Sequence, residues 1–251
     1  MTDPALSILI PVFNEEASIS ALLQEILDKQ PAGLGAEIIV INDGSEDGTA
    51  GAVEAFAASH PEVRLITHPQ RSGKSAALRT GALVGKGLWM GTLDGDGQDD
   101  PADLFAMVGE VDLSRIGEVG LVGGVRRERT DGSSRKFASR FANGLRQSLL
   151  KDDCPDTACG LKLLPRDLFL QFPFFDALHR YLPAFTRHFG FETRYVKVDN
   201  RPRQAGVSKY SNFGRAVAGI FDLTGVVWLM RRTKTPGRAF VAEMAMNKKA
   251  G

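Results

Sequence analysis

Glu37-Ile38-Ile39-Val40-Ile41-Asn42-Asp43-Gly44-Ser45 is a run of β-branched residues stopped by a tight polar turn. A strand that is apolar at nearly every position has both faces covered, the habit of a parallel sheet between helix layers. Before it, Leu6–Val12 reads as another buried strand. Between the two, Ile19, Leu22, Leu23, Ile26 and Leu27 recur at helical spacing. Asn14 is expected to cap that helix, with Glu15 and Glu16 in its first turn. After the quoted run come a helix to about Ser59, a strand at Val63–Ile66, a helix at Ser75–Val84 and a strand at Leu88–Leu93. A helix from about Asp103 then leads to a strand at Val119–Val122. This rhythm predicts an α/β fold, a Rossmann-like, mostly parallel sheet flanked by helices, with ligands at the carboxyl ends of the strands.

The second half is less regular. Lys136–Leu150 reads as an amphipathic helix, and short strands are expected around Cys159–Leu164 and Thr193–Val198. The chain of 251 residues, 43% hydrophobic, has enough apolar residues for one packed core. A net charge of +1 gives no argument for nucleic acid. Cys154 and Cys159 form neither a CxxC pair nor a zinc spacing, which suits a reducing compartment. No signal peptide is read at the N-terminus. Ala216–Met230 is apolar but short and contains Asp222, so a membrane span is not expected. The segment after it is basic, with Arg231, Arg232, Lys234, Arg238, Lys248 and Lys249, and reads as a solvated, partly disordered end.

Asp94-Gly95-Asp96, closing a buried strand, carries the sharpest chemistry. Two carboxylates at a strand end suit a hard cation, which would also neutralise a departing diphosphate. Gly95 permits close approach of a ligand, and Gln98 offers a third oxygen. An acidic turn of solvated carboxylates accounts for the same residues equally well. Asp99 and Asp100 read as exposed turn or cap residues. Asp43 could bond a nucleotide base or cap the next helix, and Glu15 could take a ribose hydroxyl or complement the helix dipole. Arg71-Ser72-Gly73-Lys74-Ser75 ends like a phosphate-binding loop, but His68 stands where that loop needs glycine, so an ATPase is rejected and the stretch set aside. No GxGxxG follows the first strand, which removes the support for a dinucleotide oxidoreductase.

Three stretches agree with one family. Ile10-Pro11-Val12-Phe13-Asn14-Glu15, Asn42-Asp43-Gly44-Ser45 and Asp94-Gly95-Asp96-Gly97-Gln98-Asp99-Asp100-Pro101 resemble the family 2 glycosyltransferases of GT-A fold. Together with Gly206-Val207-Ser208-Lys209-Tyr210, they are similar to the dolichol-phosphate mannosyltransferase and bacterial polyprenyl-phosphate glycosyltransferase group. Asn42 departs from the Asp common in the family. The resemblance covers about Leu6 to Tyr210 and implies a catalytic domain over residues 1–211 with a basic, amphipathic, membrane-proximal segment over 212–251.

It implies further that Asp94, Asp96 and Gln98 hold Mg²⁺ or Mn²⁺. Pro11, Phe13, Glu15, Ile41, Asp43, Asp94, Gly95 and Asp96 would line the nucleotide-sugar pocket, and Arg126 would bind the donor diphosphate. Arg135 and Ser139 would face the acceptor phosphate, with Arg203 and Lys209 as acceptor-loop cations. His179-Arg180-Tyr181 either lines the sugar side or starts a helix. The implied reaction is inverting transfer from a GDP- or UDP-sugar to a polyprenyl phosphate; the alternative is a soluble or glycan hydroxyl acceptor. An ionised lipid phosphate needs no base to attack, whereas a hydroxyl would. The protein is expected in the cytoplasm, peripheral to the inner face of the membrane, with a separate membrane protein or a second copy as a further partner.

Overall fold

The structure, a computed structural model, describes residues 4–127, 144, 146–199, 201 and 212–250, with side chains described outside 212–218 and 245–250. In the first half, β1 (Leu6–Val12), α1 (Glu16–Lys29), β2 (Ala36–Asn42), α2 (Thr49–Ala57), β3 (Val63–Thr67), α3 (Lys74–Val84), β4 (Trp89–Thr92) and α4 (Pro101–Val108) alternate as expected. Then follow β5 (Val119–Arg126), β6 (Lys162–Pro165), α5 (Arg166–Gln171), a 3₁₀ turn (Leu178–Arg180), α6 (Leu182–His188) and β7 (Glu192–Val198). Two helices, α7 (Asn212–Arg232) and α8 (Arg238–Ala250), close the described chain. The expected helix at 136–150 lies mostly outside the described residues; 146–150 are helical.

The seven strands form one sheet in the order β3-β2-β1-β4-β6-β5-β7. β3, β2, β1 and β4 run parallel, as do β5 and β7, while β6 is antiparallel to both of its neighbours. The doubly apolar run in β2 divides its side chains between two cores. Ile39 and Ile41 pack toward α3 with Leu9, Leu168 and Phe185, while Ile38 and Val40 pack toward α1 with Ile8, Ile19 and Leu23. That division is what a strand period of two imposes on a sheet covered on both faces.

The start of α1 differs from expectation, whereas Asp100 caps α4 as expected. Asn14 does not cap α1: it takes a left-handed φ of 57° and its side chain accepts from Glu46 N–H at 2.9 Å. The first amides of α1 are met from the β2–α2 turn instead, Glu15 N–H by Thr49 Oγ1 at 2.9 Å and Glu16 N–H by Asp47 at 3.3 Å. That exchange ties the ends of β1 and β2 together. α4 starts at Pro101, capped by the Asp100 carboxylate on Ala102 N–H at 2.8 Å.

In the basic C-terminal segment Arg231, Arg232 and Lys234 are exposed as expected, but the chain on either side of them is anchored. Val226 of α7 and Val241 of α8 are fully buried in the core on the α3 face. No described helix is long and apolar enough to cross a membrane.

Candidate active site

The carboxyl ends of β1, β2 and β4 and the loop before α3 converge on one open pocket. It is lined by Pro11, Val12, Phe13, Glu15, Asp43, Arg71, Gly73, Lys74, Asp94, Gly95 and Asp96. Seven residues expected at a nucleotide-sugar site are therefore together: Pro11, Phe13, Glu15, Asp43, Asp94, Gly95 and Asp96.

Asp43 organises one wall. Its buried carboxylate accepts from Ser72 N–H at 2.8 Å and Gly73 N–H at 2.7 Å, and lies 2.8 Å from His68 Nδ1. Gly44, at φ 71°, allows that loop to close, since a Cβ there would lie 2.7 Å from the Arg71 nitrogen. Folded in this way, the loop sets the Arg71 guanidinium 4.2 Å over the Phe13 ring.

Asp94 and Asp96 form the floor. Gly95 between them fits because the turn presses on β1: a Cβ would meet Val12 Cγ1 at 2.5 Å. Ser18 O–H donates to Gly95 O at 2.9 Å and pins the turn from α1. Lys74 Nζ donates to Asp94 Oδ1. Burial alone would raise the Asp94 carboxyl, but the Lys74 charge beside it reverses that and holds it below its ordinary value.

Asp99 departs from the exposed turn expected of it: it is 4% exposed. It packs behind Asp94 against the backbone of Gly160, where a Cβ would lie 2.4 Å from Asp99 Oδ2 and 2.8 Å from Asp94 Oδ2. Burial, and then the Asp94 charge, push the Asp99 carboxyl up to about 7. Lys162, on β6, brings a second buried ammonium close to Asp94, its Nζ donating to Cys159 O at 2.5 Å. Burial and then the Lys74 charge lower Lys162. Beside the start of the Lys74 helix, His179 Nδ1 lies 2.9 Å from Ser75 Oγ. Burial, with Lys74 and Lys162 nearby, lowers this imidazole to about 3.

Three expected site residues stand elsewhere. Ile41 is fully buried in the core, with its Cδ1 facing Gly81 of α3, because the pleat turns it to that face. Arg126, outside the pocket lining, is held by Asp156 in a two-pronged pair at 2.7 and 2.9 Å. The Gln98 side chain donates to Arg201 O at 3.2 Å, while Arg201 N–H donates back to Gln98 O at 3.0 Å. Arg201 also binds Glu25 and Asp100, so this knot fastens the turn after Asp96 to α1. Arg135, Ser139, Arg203 and Lys209 lie outside the described residues.

Conversely, Arg71, Gly73 and Lys74, set aside in the sequence as an imperfect phosphate loop, line the pocket. The glycine–lysine pair before a helix was the available signal.

No described group of three or more His, Cys, Asp or Glu side chains forms a metal cage. Asp94 and Asp96 nonetheless suit Mg²⁺ or Mn²⁺, because such ions are commonly held by one or two carboxylates, with substrate phosphates and water completing the shell.

The family model for glycosyl transferase family 2 matches residues 7–172. Dodecaprenyl-phosphate galacturonate synthase of Rhizobium johnstonii is 31% identical over 240 residues, covering 94% of this chain and 70% of that protein. Undecaprenyl-phosphate 4-deoxy-4-formamido-L-arabinose transferase of Shewanella sediminis is 30% identical over 220 residues, covering 86% of this chain and 65% of that protein. This chain thus spans about two thirds of the length of these curated relatives. Glucosyl-3-phosphoglycerate synthase of Mycobacterium tuberculosis, solved with UDP, superposes with a TM-score of 0.67 at 19% identity, covering 92% of this chain and 82% of that one. The same enzyme with Mn²⁺, UDP-glucose and phosphoglyceric acid also gives 0.67. The shared fold is GT-A, and the chain belongs to glycosyl transferase family 2 as a glycosyltransferase.

Proposed function

We propose that this chain transfers a sugar, with inversion, from a nucleoside-diphosphate sugar to a polyprenyl phosphate at a membrane surface. The observation that carries the donor half is the meeting of Asp94 and Asp96 with Phe13, Glu15 and Asp43 in one pocket at the strand ends. Phe13 and the Arg71 stacked on it offer a surface for a base, Glu15 a ribose acceptor, and the Asp94–Asp96 floor the diphosphate end. A divalent cation on Asp94 and Asp96 would neutralise charge on the departing diphosphate.

The acceptor half rests on similarity to two polyprenyl-phosphate sugar transferases. A lipid phosphate oxygen attacks the anomeric carbon as the bond to the diphosphate breaks, and the nucleoside diphosphate leaves. The nucleophile is already an anion, so the protein's work is positioning and charge stabilisation. In this reading Arg126, Arg135, Ser139, Arg203 and Lys209 handle the two phosphate groups.

The outer face of α7 supports the membrane setting. Phe221 and Trp228 are 73% and 61% exposed, and Arg231 and Arg232 follow them. Phe240 on α8 is exposed as well. An apolar face with basic flanks suits the interface of an anionic bilayer, and residues 212–251 would be the membrane-proximal unit. The test supplies radiolabelled GDP- and UDP-sugars, Mn²⁺ and undecaprenyl phosphate. Label is expected in the organic phase for the wild type and not for Asp96→Ala. Label that enters only water-soluble glycan would move the acceptor to a hydroxyl.

A further inference from the structure

Lys74 stands at an odd place for a lysine. It is the first residue of α3, an 11-residue helix, where the backbone dipole is positive and a cation is unfavourable. Local helix energetics therefore give no reason for it. Gly73, at φ 90°, and the Asp43 latch on the Ser72 and Gly73 amides hold the helix start against the pocket. From there the side chain reaches Asp94 Oδ1, while Asp94 Oδ2 packs against the Gly160 backbone, which leaves Oδ1 as the oxygen for a divalent cation.

We propose that Lys74 is an exchange cation. It neutralises Asp94 in the unliganded site, yields that oxygen to a divalent cation, and moves onto the donor diphosphate. The inference rests on the glycosyltransferase reading of the site and adds a role for a residue that reading does not use.

Three features carry it. Two cations cannot share one carboxylate oxygen without strong repulsion, so occupation of Asp94 by a metal forces the ammonium away. Side-chain exposures of 27% for Lys74 and 36% for Asp94 leave room on the pocket side. Lys162 is buried in the protein, whereas Lys74 itself lines the pocket, so the space open to its ammonium is on the pocket side. Among the described residues, Asp96 is another carboxylate of that pocket, and a diphosphate bound there would add a further anion for the ammonium. A four-carbon stem on a compact ammonium permits the swing.

The experiment measures Mn²⁺ binding by titration calorimetry on the full chain, with and without UDP and GDP, for wild type, Lys74→Met and Asp96→Ala. Lys74→Met is expected to bind Mn²⁺ about fivefold or more tightly without nucleotide, because its competitor is gone, and to bind the nucleoside diphosphate with Mn²⁺ about tenfold more weakly. A merely structural ion pair would weaken both. Mn²⁺ affinity that is unchanged or weaker in Lys74→Met, while Asp96→Ala loses the metal, overturns the exchange and leaves the site reading intact. Wild type that binds no Mn²⁺ at all overturns both. Should Lys74→Met fail to fold, acetylation of Lys74 in the wild type, followed by mass spectrometry, decides the matter. Mg²⁺ alone should raise its reactivity severalfold and added nucleoside diphosphate should suppress it; reactivity indifferent to Mg²⁺ overturns the proposal.

Discussion

The Gly160 backbone packs directly against the Asp99 carboxylate, so closely that a Cβ would lie 2.4 Å from Asp99 Oδ2, with Asp94 Oδ2 only 2.8 Å away. The strand end that carries Asp94 is thus braced from behind by the loop leading into β6. A single methyl group at Gly160 must displace one carboxylate or both.

Gly160→Ala is therefore expected to cost about 2 kcal/mol of stability through overpacking. Its effect on turnover should be larger, about a hundredfold, because Asp94 is shifted within the reacting geometry. Urea unfolding and steady-state transfer rates on the same preparation check this. A variant that loses stability but keeps its turnover would show that the brace does not set Asp94.

Asp43 holds the loop before α3 by two backbone amides. Asp43→Ala leaves those amides unmatched and should cost about 2 kcal/mol. Nucleoside diphosphate binding should weaken with it, since Arg71 and Lys74 lose their fixed positions. Thermal shift with and without UDP or GDP reads both effects, through the midpoint and its ligand-induced rise.

His179 predicts a pH dependence. Its folded value, about 3, lies below the ordinary imidazole value of 6.5, so the unfolded chain binds the proton more readily. The stability it contributes is complete above about 6.5 and is lost as pH falls toward 3. Denaturant unfolding of His179→Gln should show a shallower loss than wild type over that window, by at most about 1.4 kcal/mol per pH unit. Parallel curves for the two proteins would remove His179 as a source of acid sensitivity.

Phe221→Glu with Trp228→Glu alters only exposed side chains of α7. Folding should be nearly unaffected. Binding to anionic vesicles should fall at least about tenfold, since two aromatic groups lose their apolar contact. Vesicle co-sedimentation measures it, and unchanged sedimentation would remove this face from the membrane.

What the sequence by itself determined was local. The doubly apolar run at β2, the helical spacing after β1 and the polar turns at Asp43 and Asp94–Asp96 are read within a few residues, because strand period, helix period and turn chemistry act at that range. The order of those turns along a parallel sheet was enough to place Asp43 and Asp94 at the same end of the strands. Only tertiary structure decided what touches them. The antiparallel β6 enters between β4 and β5, and brings Gly160 and Lys162 behind Asp94. The same packing buries Asp99, which its Asp-rich neighbourhood suggested was exposed. Lys74 meets Asp94 because the chain leaves the parallel strands β3 and β4 at the same carboxyl end of the sheet, and no pattern along the chain records that meeting. The reason is physical: burial and charge pairing depend on neighbours in space, and these neighbours come from distant segments of the chain.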